Sequence, residues 1–253
     1  MTAVMFRGGH GTGVLETRGL DRLGGLAWRF RTEGPVRSSP TVAGGAVYFG
    51  STDGRLYAVD AGTGTELWRY EAGSPVGGAP LVTGSLVVFV DRANRITALR
   101  PSDGRLVWQV EGGPDLPLAW GLEGWDYLLA SPMLSGDLVL AGTGDGVLYA
   151  IEAGSGAVRW TFGTGGRIRS APAVHEGVAY IGACDGIVYG VSLADGREVW
   201  RFTTRGHGLD AEQFGFDRTH IYSSPAIVGG TLYIGSRDAS LYAIDIASSE
   251  PIW

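Results

Sequence analysis

The sequence predicts an all-β protein, a β-propeller built from four-stranded antiparallel blades, and three observations predict it. The 253 residues include 43 glycines without a three-residue collagen period, which indicates many tight turns between short strands. Apolar residues alternate with a period of two inside these strands, and no segment has a helical period. One eleven-residue stretch occurs in five copies along the chain, as expected for a propeller or a solenoid.

The repeated stretch is written most fully as AVDAGTGTELW, from Ala58 to Trp68. The other copies are ALRPSDGRLVW, AIEAGSGAVRW, GVSLADGREVW and AIDIASSEPIW. A proline-led strand and a hairpin with a tight turn precede each copy, so each repeat supplies four strands, which we call A, B, C and D. The repeats predict a propeller region at 26–253 after a leader at 1–25, with blades at approximately 36–68, 76–108, 128–160, 168–200 and 221–253.

The motif residues are Ala58, Asp60, Thr63, Gly64 and Trp68. They match the pattern Ala-x-Asp-x-x-Thr-Gly-x-x-x-Trp, which resembles the tryptophan-docking motif of the quinoprotein-like (PQQ-like) β-propeller family. The resemblance covers 28–253 and implies that each blade is joined to its neighbour by a tryptophan. The tryptophans in this position are Trp28, Trp68, Trp108, Trp160, Trp200 and Trp253. Since the motif recurs around the rim, we expect it to be structural and not to bind a cofactor.

The number of blades leaves two alternatives. The segment LAWRFRT, 26–32, has the pattern of a strand D, so it either completes the last blade of a closed five-bladed ring or belongs to an incomplete part of a larger ring. Relatives in the resembled family have seven or eight blades. In a closed five-bladed ring Trp28 and Trp253 would compete for one docking place, and an incomplete ring would favour self-assembly.

Two D-to-A connections are longer than the others. The spacing from the tryptophan to the proline that leads strand A of the next repeat is 12 after Trp28, Trp68 and Trp160, but 24 after Trp108 and 25 after Trp200. Because strands alternate in direction, both insertions lie on the same face as the B-to-C turns, opposite the tryptophan hairpins. This face is where the sequence places a candidate site.

The first insertion, GGPDLPLAWGLEGWDYLLA, contains Trp120, Trp125 and Tyr127. Exposed aromatic rings in such a loop are typical of a protein-contact surface. The alternative is that they plug the central channel or pack on an adjacent blade. The B-to-C turns contribute Asp53, Asn94, Asp145, Asp185 and Asp238 to this face, and these residues are interpreted as turn formers.

The second insertion, RGHGLDAEQFGFDRTHIY, contains His207, Asp210, Asp217 and His220, together with Phe214. Imidazole and carboxylate groups are ligands for metal ions and act as general acids and bases. Their spacing fits no metal-site pattern, however, and a solvated polar loop explains the same residues. The sequence therefore assigns no catalytic residue and no metal ligand.

Composition excludes several classes of partner. A net charge of −6 without a basic cluster argues against nucleic acid, and no apolar run approaches the roughly 20 residues of a membrane span. The first residues lack the pattern of a secretion signal, so the chain as written predicts a cytoplasmic protein, or an extracytoplasmic one if a signal is missing. The single cysteine, Cys184, rules out the vicinal cysteine pair of the quinone-dependent dehydrogenases that the family resemblance includes.

The remaining members of the resembled family are binding proteins: the lipoprotein scaffold of the bacterial outer-membrane assembly machinery and sensor modules attached to bacterial kinases. The sequence therefore predicts a non-catalytic scaffold or sensor without a cofactor, whose insertions engage a protein or peptide. The alternative is an enzyme, or a small-ligand or metal binder, that uses the insertion between His207 and His220.

Overall fold

The computed structural model describes residues 24–117, 128–209 and 217–253. The described residues form twenty strands in five antiparallel sheets of four strands, and within each sheet the strands lie side by side in chain order. None of the described residues is helical. The all-β propeller architecture predicted from the repeats is confirmed.

Each sheet is one blade, numbered I to V along the chain. Blade I comprises β1 (Thr41–Ala43), β2 (Ala46–Gly50), β3 (Arg55–Asp60) and β4 (Glu66–Glu71). Blade II comprises β5 (Leu81–Val82), β6 (Val87–Val90), β7 (Arg95–Leu99) and β8 (Leu106–Glu111). Blade III comprises β9 (Met133–Ser135), β10 (Leu138–Gly142), β11 (Val147–Glu152) and β12 (Val158–Gly163). Blade IV comprises β13 (Ala173–His175), β14 (Val178–Gly182), β15 (Ile187–Ser192) and β16 (Glu198–Thr203). Blade V comprises β17 (Ala226–Val228), β18 (Thr231–Gly235), β19 (Leu241–Asp245) and β20 (Glu250–Pro251).

The first residue of the repeated motif is small because it lies opposite the tryptophan. Ala58 on β3 pairs with Trp68 on β4, and the register shifts by one residue immediately after this pair. In blade IV the same position is Gly190, where an added Cβ would lie 2.7 Å from the Cβ of Trp200. A bulge at this point bends the outer strand and increases its twist, which aims the indole ring at the next blade.

The docked tryptophans hydrogen-bond to the C-to-D hairpin of the following blade, as Trp68 shows. The indole nitrogen of Trp68 donates to the carbonyl oxygen of Pro101 at 2.7 Å, and its ring lies against Gly104, where a Cβ would be 2.7 Å away. Gly104 has a φ of 67°, which favours glycine. The same indole hydrogen bond joins Trp28 to Ala61, Trp108 to Ala153, Trp160 to Leu193 and Trp200 to Ile246.

The hydrophobic core lies between adjacent blades. Tyr48, Leu56 and Trp68 of blade I pack in one cluster with Val87 and Phe89 of blade II. Alternate residues of a strand face opposite sides of its sheet, so every blade has two apolar faces and needs a neighbour on each side.

The five sheets do not close into a ring. Trp28 occupies the docking place on blade I, while Trp253 is 64% exposed. Leu241 of blade V is 59% exposed, whereas Leu56, which holds the same position in blade I, is 0% exposed because blade II covers it. The closed five-bladed alternative is therefore wrong, and the incomplete ring is the alternative that the structure supports.

Candidate functional site

The D-to-A connections and the B-to-C turns meet on one face of the blades, which we call the insertion face. The amide of Gly112, after β8, donates to the carbonyl of Asn94 in a B-to-C turn at 3.0 Å. On the opposite side the A-to-B turn meets the tryptophan hairpin, since the amide of Ala61 donates to the carbonyl of Gly45 at 2.8 Å. The described ends of both insertions thus lie on the face that strand alternation predicts.

The aspartates of the B-to-C turns hold the insertion face together. Asp145 accepts hydrogen bonds from the hydroxyl of Tyr149 at 2.8 Å and from the amide of Gly113 in the preceding connection at 2.6 Å. Burial and this hydrogen bond to Asp145 raise the pKa of Tyr149 to about 12. The aspartate–tyrosine pair recurs at Asp53 and Tyr57, Asp185 and Tyr189, and Asp238 and Tyr242.

Blade II departs from this arrangement. Asn94 has a φ of 61° and takes the left-handed position that Gly54 takes in blade I, while Ala93 stands where the other turns have aspartate. The side chain of Asn94 is consequently directed elsewhere: its amide nitrogen donates to Asp115 at 2.8 Å, and its oxygen accepts from the amide of Gly144 at 2.8 Å. Asn94 thereby joins a group of side chains around Asp115 at the start of the first insertion.

Three arginines surround Asp115 at the start of the first insertion. Arg92 comes from the B-to-C turn of blade II and forms an ion pair with the Asp115 carboxylate. Arg167 and Arg169 come from the connection between blades III and IV, and their guanidinium nitrogens lie 3.0 and 3.7 Å from Asp115 Oδ2. The side chains of Arg167 and Arg169 are each 1% exposed. We call Arg92, Asn94, Arg167 and Arg169 the arginine cluster.

Backbone contacts fix the chain on either side of Asp115. The amide of Leu116 donates to the carbonyl of Gly144 at 2.8 Å, and Arg167 Nε donates to the carbonyl of Leu116 at 2.5 Å. Gly144 makes room for this carboxylate, because a Cβ there would lie 1.9 Å from an Asp115 oxygen and would displace it. A cavity of about 350 Å³ opens beside the carboxylate, and it is lined by Arg92, Ala93, Asn94, Gly113, Pro114, Asp115 and Arg167.

Sequence reasoning missed the arginine cluster. Its members are far apart along the chain, and none belongs to the tryptophan motif. The available signal was the segment GRIRSAP, in which two arginines flank an isoleucine directly before the buried strand A of blade IV. Charged residues are rarely buried without a partner, so two arginines next to a core strand indicate an acidic group nearby.

The second insertion ends in a buried histidine–aspartate pair. His220 Nδ1 lies 2.6 Å from Asp217 Oδ2 and 2.9 Å from the hydroxyl of Tyr222, and the amide of Thr219 donates to Asp217 Oδ1 at 2.8 Å. Burial by itself raises the pKa of the Asp217 carboxyl, but the hydrogen bonds from His220 and Thr219 outweigh it and hold this pKa below its ordinary value. The pair closes the insertion against blade V.

His207 does not join that pair. Its ring is exposed, and Nδ1 lies 2.7 Å from the carbonyl oxygen of Asp185. Asp210 and Phe214 lie outside the described residues. Within the described part of the chain, no group of three or more histidine, cysteine or acidic side chains is placed to hold a metal ion.

The predicted aromatic residues Trp120, Trp125 and Tyr127 lie outside the described residues. Further along the chain Ala130 is buried, and Ser131 Oγ accepts from the amide of Ala79 at 2.9 Å. The first insertion thus leaves blade II at the arginine cluster and enters blade III at a buried contact with blade II.

These features define a PQQ-like β-propeller whose insertion face carries two elaborated connections. The chain belongs to the family described as outer membrane protein assembly factor BamB, whose sequence profile matches residues 16–121 and 118–253. No curated protein is similar enough to this chain to count as a match. In the described ranges, no helix is long and apolar enough to cross a membrane.

Solved structures show the same fold. The chain is similar to BamB from Moraxella catarrhalis with a TM-score of 0.72 and 22% sequence identity, over 92% of this chain and 65% of that one. It is also similar to the computationally designed Ika8 protein, with a TM-score of 0.65 and 18% identity, over 86% of this chain and 60% of that one. The chain therefore spans about two thirds of the length of the BamB structure that it matches.

Proposed function

We propose that this chain is a non-catalytic scaffold or sensor that binds a protein or peptide partner through its insertion face. The observation that supports it is the anchoring of both insertions on one side of a rigid framework, at the arginine cluster and at the Asp217–His220 pair. Loops held by a rigid scaffold are the usual carriers of binding function. The repeated tryptophan motif lies on the other face, where it joins the blades.

The family narrows the class of partner. Its description names a factor in the assembly of outer membrane proteins. By this relationship we propose that the partner is a protein of that assembly pathway. Binding then needs no cofactor and no chemical step, and the partner contacts a surface built from connections instead of a closed pocket.

Within this proposal Trp120, Trp125 and Tyr127 supply the anchoring contacts. Tryptophan and tyrosine are enriched among the few residues that carry most of the free energy of a protein interface. His207 is exposed in the second insertion, and we propose that it contributes to binding at the edge of the same surface together with Asp210 and Phe214. Asp217 and His220 are buried and act by positioning this insertion.

Photo-crosslinking in the native host tests which face binds. A p-benzoylphenylalanine residue replaces Pro114 or Leu128 on the insertion face, and Ser102 or Ser155 in the tryptophan hairpins serves as the matched control; all four residues are exposed. We expect one discrete crosslinked partner from the insertion face and none from the hairpins. Crosslinks to that partner from the hairpins, with none from Pro114 and Leu128, would refute the proposal.

A second pair of variants tests the aromatic anchors. Alanine at Trp120 and Trp125 removes two large apolar contacts, so we expect at least a tenfold loss of crosslinking yield or partner affinity. Alanine at His207 should change the affinity by less than about threefold, because an exposed polar side chain at a rim contributes little. Equal losses in the two variants would contradict the assignment of the aromatic residues as anchors.

A further inference from the structure

The arginine cluster already holds a carboxylate. The Asp115 carboxylate forms ion pairs with Arg92 and, at 3.0 Å, with Arg167. It also accepts a hydrogen bond from Asn94 at 2.8 Å. Arg169 lies further from the same oxygen, at 3.7 Å. The three arginines approach Asp115 Oδ2 and Asn94 donates to Oδ1, so the cluster supplies charge-assisted and neutral donors to both oxygens of a carboxylate. The cluster is therefore shaped to recognise that group.

The pocket is built by residues from outside the loop that fills it. Arg92 and Asn94 come from blade II, and Arg167 and Arg169 come from the connection that enters blade IV. The carboxylate comes from the stretch GGPD at the start of the first insertion, in which two glycines precede Pro114 and Asp115. The walls and the carboxylate thus come from separate segments of the chain, which is the arrangement expected of a site and an internal occupant.

An approach to the pocket exists. The cavity of about 350 Å³ reaches both Asp115 and the guanidinium of Arg92, whose side chain is 23% exposed. It lies on the insertion face, between the described end of the first insertion and the B-to-C turn of blade II. An acidic side chain of a bound partner entering this cavity meets the same donors that Asp115 meets.

We propose that the arginine cluster is a carboxylate-recognition pocket, that Asp115 fills it in the unbound protein, and that an aspartate or glutamate of the protein partner takes its place. This inference rests on the proposed function and specifies the chemistry of the partner: it presents an acidic side chain to the insertion face. Release of Asp115 frees the first insertion from one of its two anchors at the moment of binding.

Chemical rescue tests the pocket in the purified chain. Asp115→Ala removes the internal carboxylate, and the melting temperature is measured in sodium acetate and in sodium chloride at equal ionic strength. We expect acetate to raise the melting temperature of Asp115→Ala and to leave the unsubstituted protein unchanged. The matched control is Asp185→Ala, which removes a carboxylate that lies outside the arginine cluster and accepts from the hydroxyl of Tyr189 and the amide of Gly165. Acetate should not rescue that variant.

Binding of an acidic peptide gives the second measurement. A fluorescein-labelled hexapeptide with two glutamates should bind Asp115→Ala about tenfold more tightly than the unsubstituted chain, since a charge-assisted hydrogen bond is worth about that factor. Adding Arg92→Ala to Asp115→Ala should abolish the gain. If Asp115→Ala does not fold, the same titration is made with Asp115→Asn, which retains the size of the side chain.

Each outcome of these measurements either supports or refutes carboxylate recognition by the arginine cluster. No acetate rescue and no gain in peptide affinity would mean that Asp115 and the arginines form only a structural clasp. Equal rescue by phosphate would show a general anion site and would overturn carboxylate recognition. The result is independent of the crosslinking experiment: rescue without a crosslinked partner would remove the proposed function and keep the pocket, whereas a crosslinked partner without rescue would remove only the pocket.

Discussion

Truncation of Trp108 to alanine is the most direct test of how the blades are joined. Its side chain is 7% exposed, its indole nitrogen donates to the carbonyl of Ala153 at 2.8 Å, and its ring covers Gly156. Removing a buried tryptophan costs about 3 to 5 kcal/mol because the cavity is filled only in part, and the carbonyl left without its donor adds about 1 kcal/mol. We therefore expect a loss of about 4 to 6 kcal/mol, a large share of the stability of a typical domain.

The control is the same substitution at Trp253, whose side chain is 64% exposed. Trp253→Ala removes an equal number of atoms but breaks no docking hydrogen bond among the described residues, so the expected loss is below about 1 kcal/mol. Urea unfolding followed by circular dichroism separates a change in stability, seen in the midpoint, from a change in cooperativity, seen in the slope. Equal midpoint shifts in the two variants would refute the assignment of Trp108 as a docked residue and Trp253 as an undocked one.

Two further predictions concern titratable groups on the insertion face. Tyr149→Phe should cost about 1 kcal/mol by removing the hydroxyl that donates to Asp145, and it should eliminate a phenol titrating near pH 12 from the ultraviolet absorbance curve. An unchanged curve would contradict the burial of that hydroxyl. Because His220 and a backbone amide hold the pKa of Asp217 below its ordinary value despite burial, Asp217 contributes stability above about pH 4 that is lost as the pH falls through its lowered pKa. Asp217→Asn should therefore lose less melting temperature between about pH 4 and 2 than the unsubstituted protein, and parallel curves would show that the ion pair has no such role.

Most of the fold was predictable because the same motif recurs in every blade. The copies of the tryptophan motif fix where strands C and D meet, and the structure supplies the reason for each position. Ala58 is small because it pairs with Trp68, and Asp60 Oδ1 accepts from the amides of Gly62 and Thr63 at 3.0 and 2.8 Å, which closes the turn. A repeated pattern of this kind averages out local ambiguity, since the same physical constraint appears in every blade.

Closure of the ring depended on information that the repeat does not contain. Trp28 and Trp253 each fit the docking position in the sequence, and only the contact from Trp28 to Ala61 shows which one occupies blade I. The sequence comparison of the B-to-C turns also misaligned the turn of blade II by one residue. Asn94 was grouped with the turn aspartates, but it takes the left-handed glycine position, and that exchange directs its side chain to Asp115.

The sequence predicted on which face of the blades the insertions lie, but it did not predict which residues form the arginine cluster there. Insertion lengths and strand direction predicted on which face both insertions lie, because strand direction alone decides the side of a D-to-A connection, and their described ends lie there. The contacts between Arg92, Asp115 and Arg167 join segments 23 and 51 or more residues apart, and they depend on how two connections cross the channel mouth. Periodicity within one blade carries no information about such a crossing.

One position in the D-to-A connection explains how these connections can differ in length and sequence while the blades keep the same fold. The carbonyl oxygens of Pro35, Pro75, Arg167 and His220 each accept a hydrogen bond from a B-to-C turn amide, at 3.0, 2.8, 2.9 and 3.1 Å respectively. The backbone bond is the same in all four connections, so the side chain there is free to change. Two connections have proline at this position, which only stiffens the chain. In the other two, Arg167 binds Asp115 of the first insertion and His220 binds Asp217 of the second. The blades thus accommodate longer connections because each insertion is anchored by a side chain at a position whose backbone contact is already satisfied by the repeat.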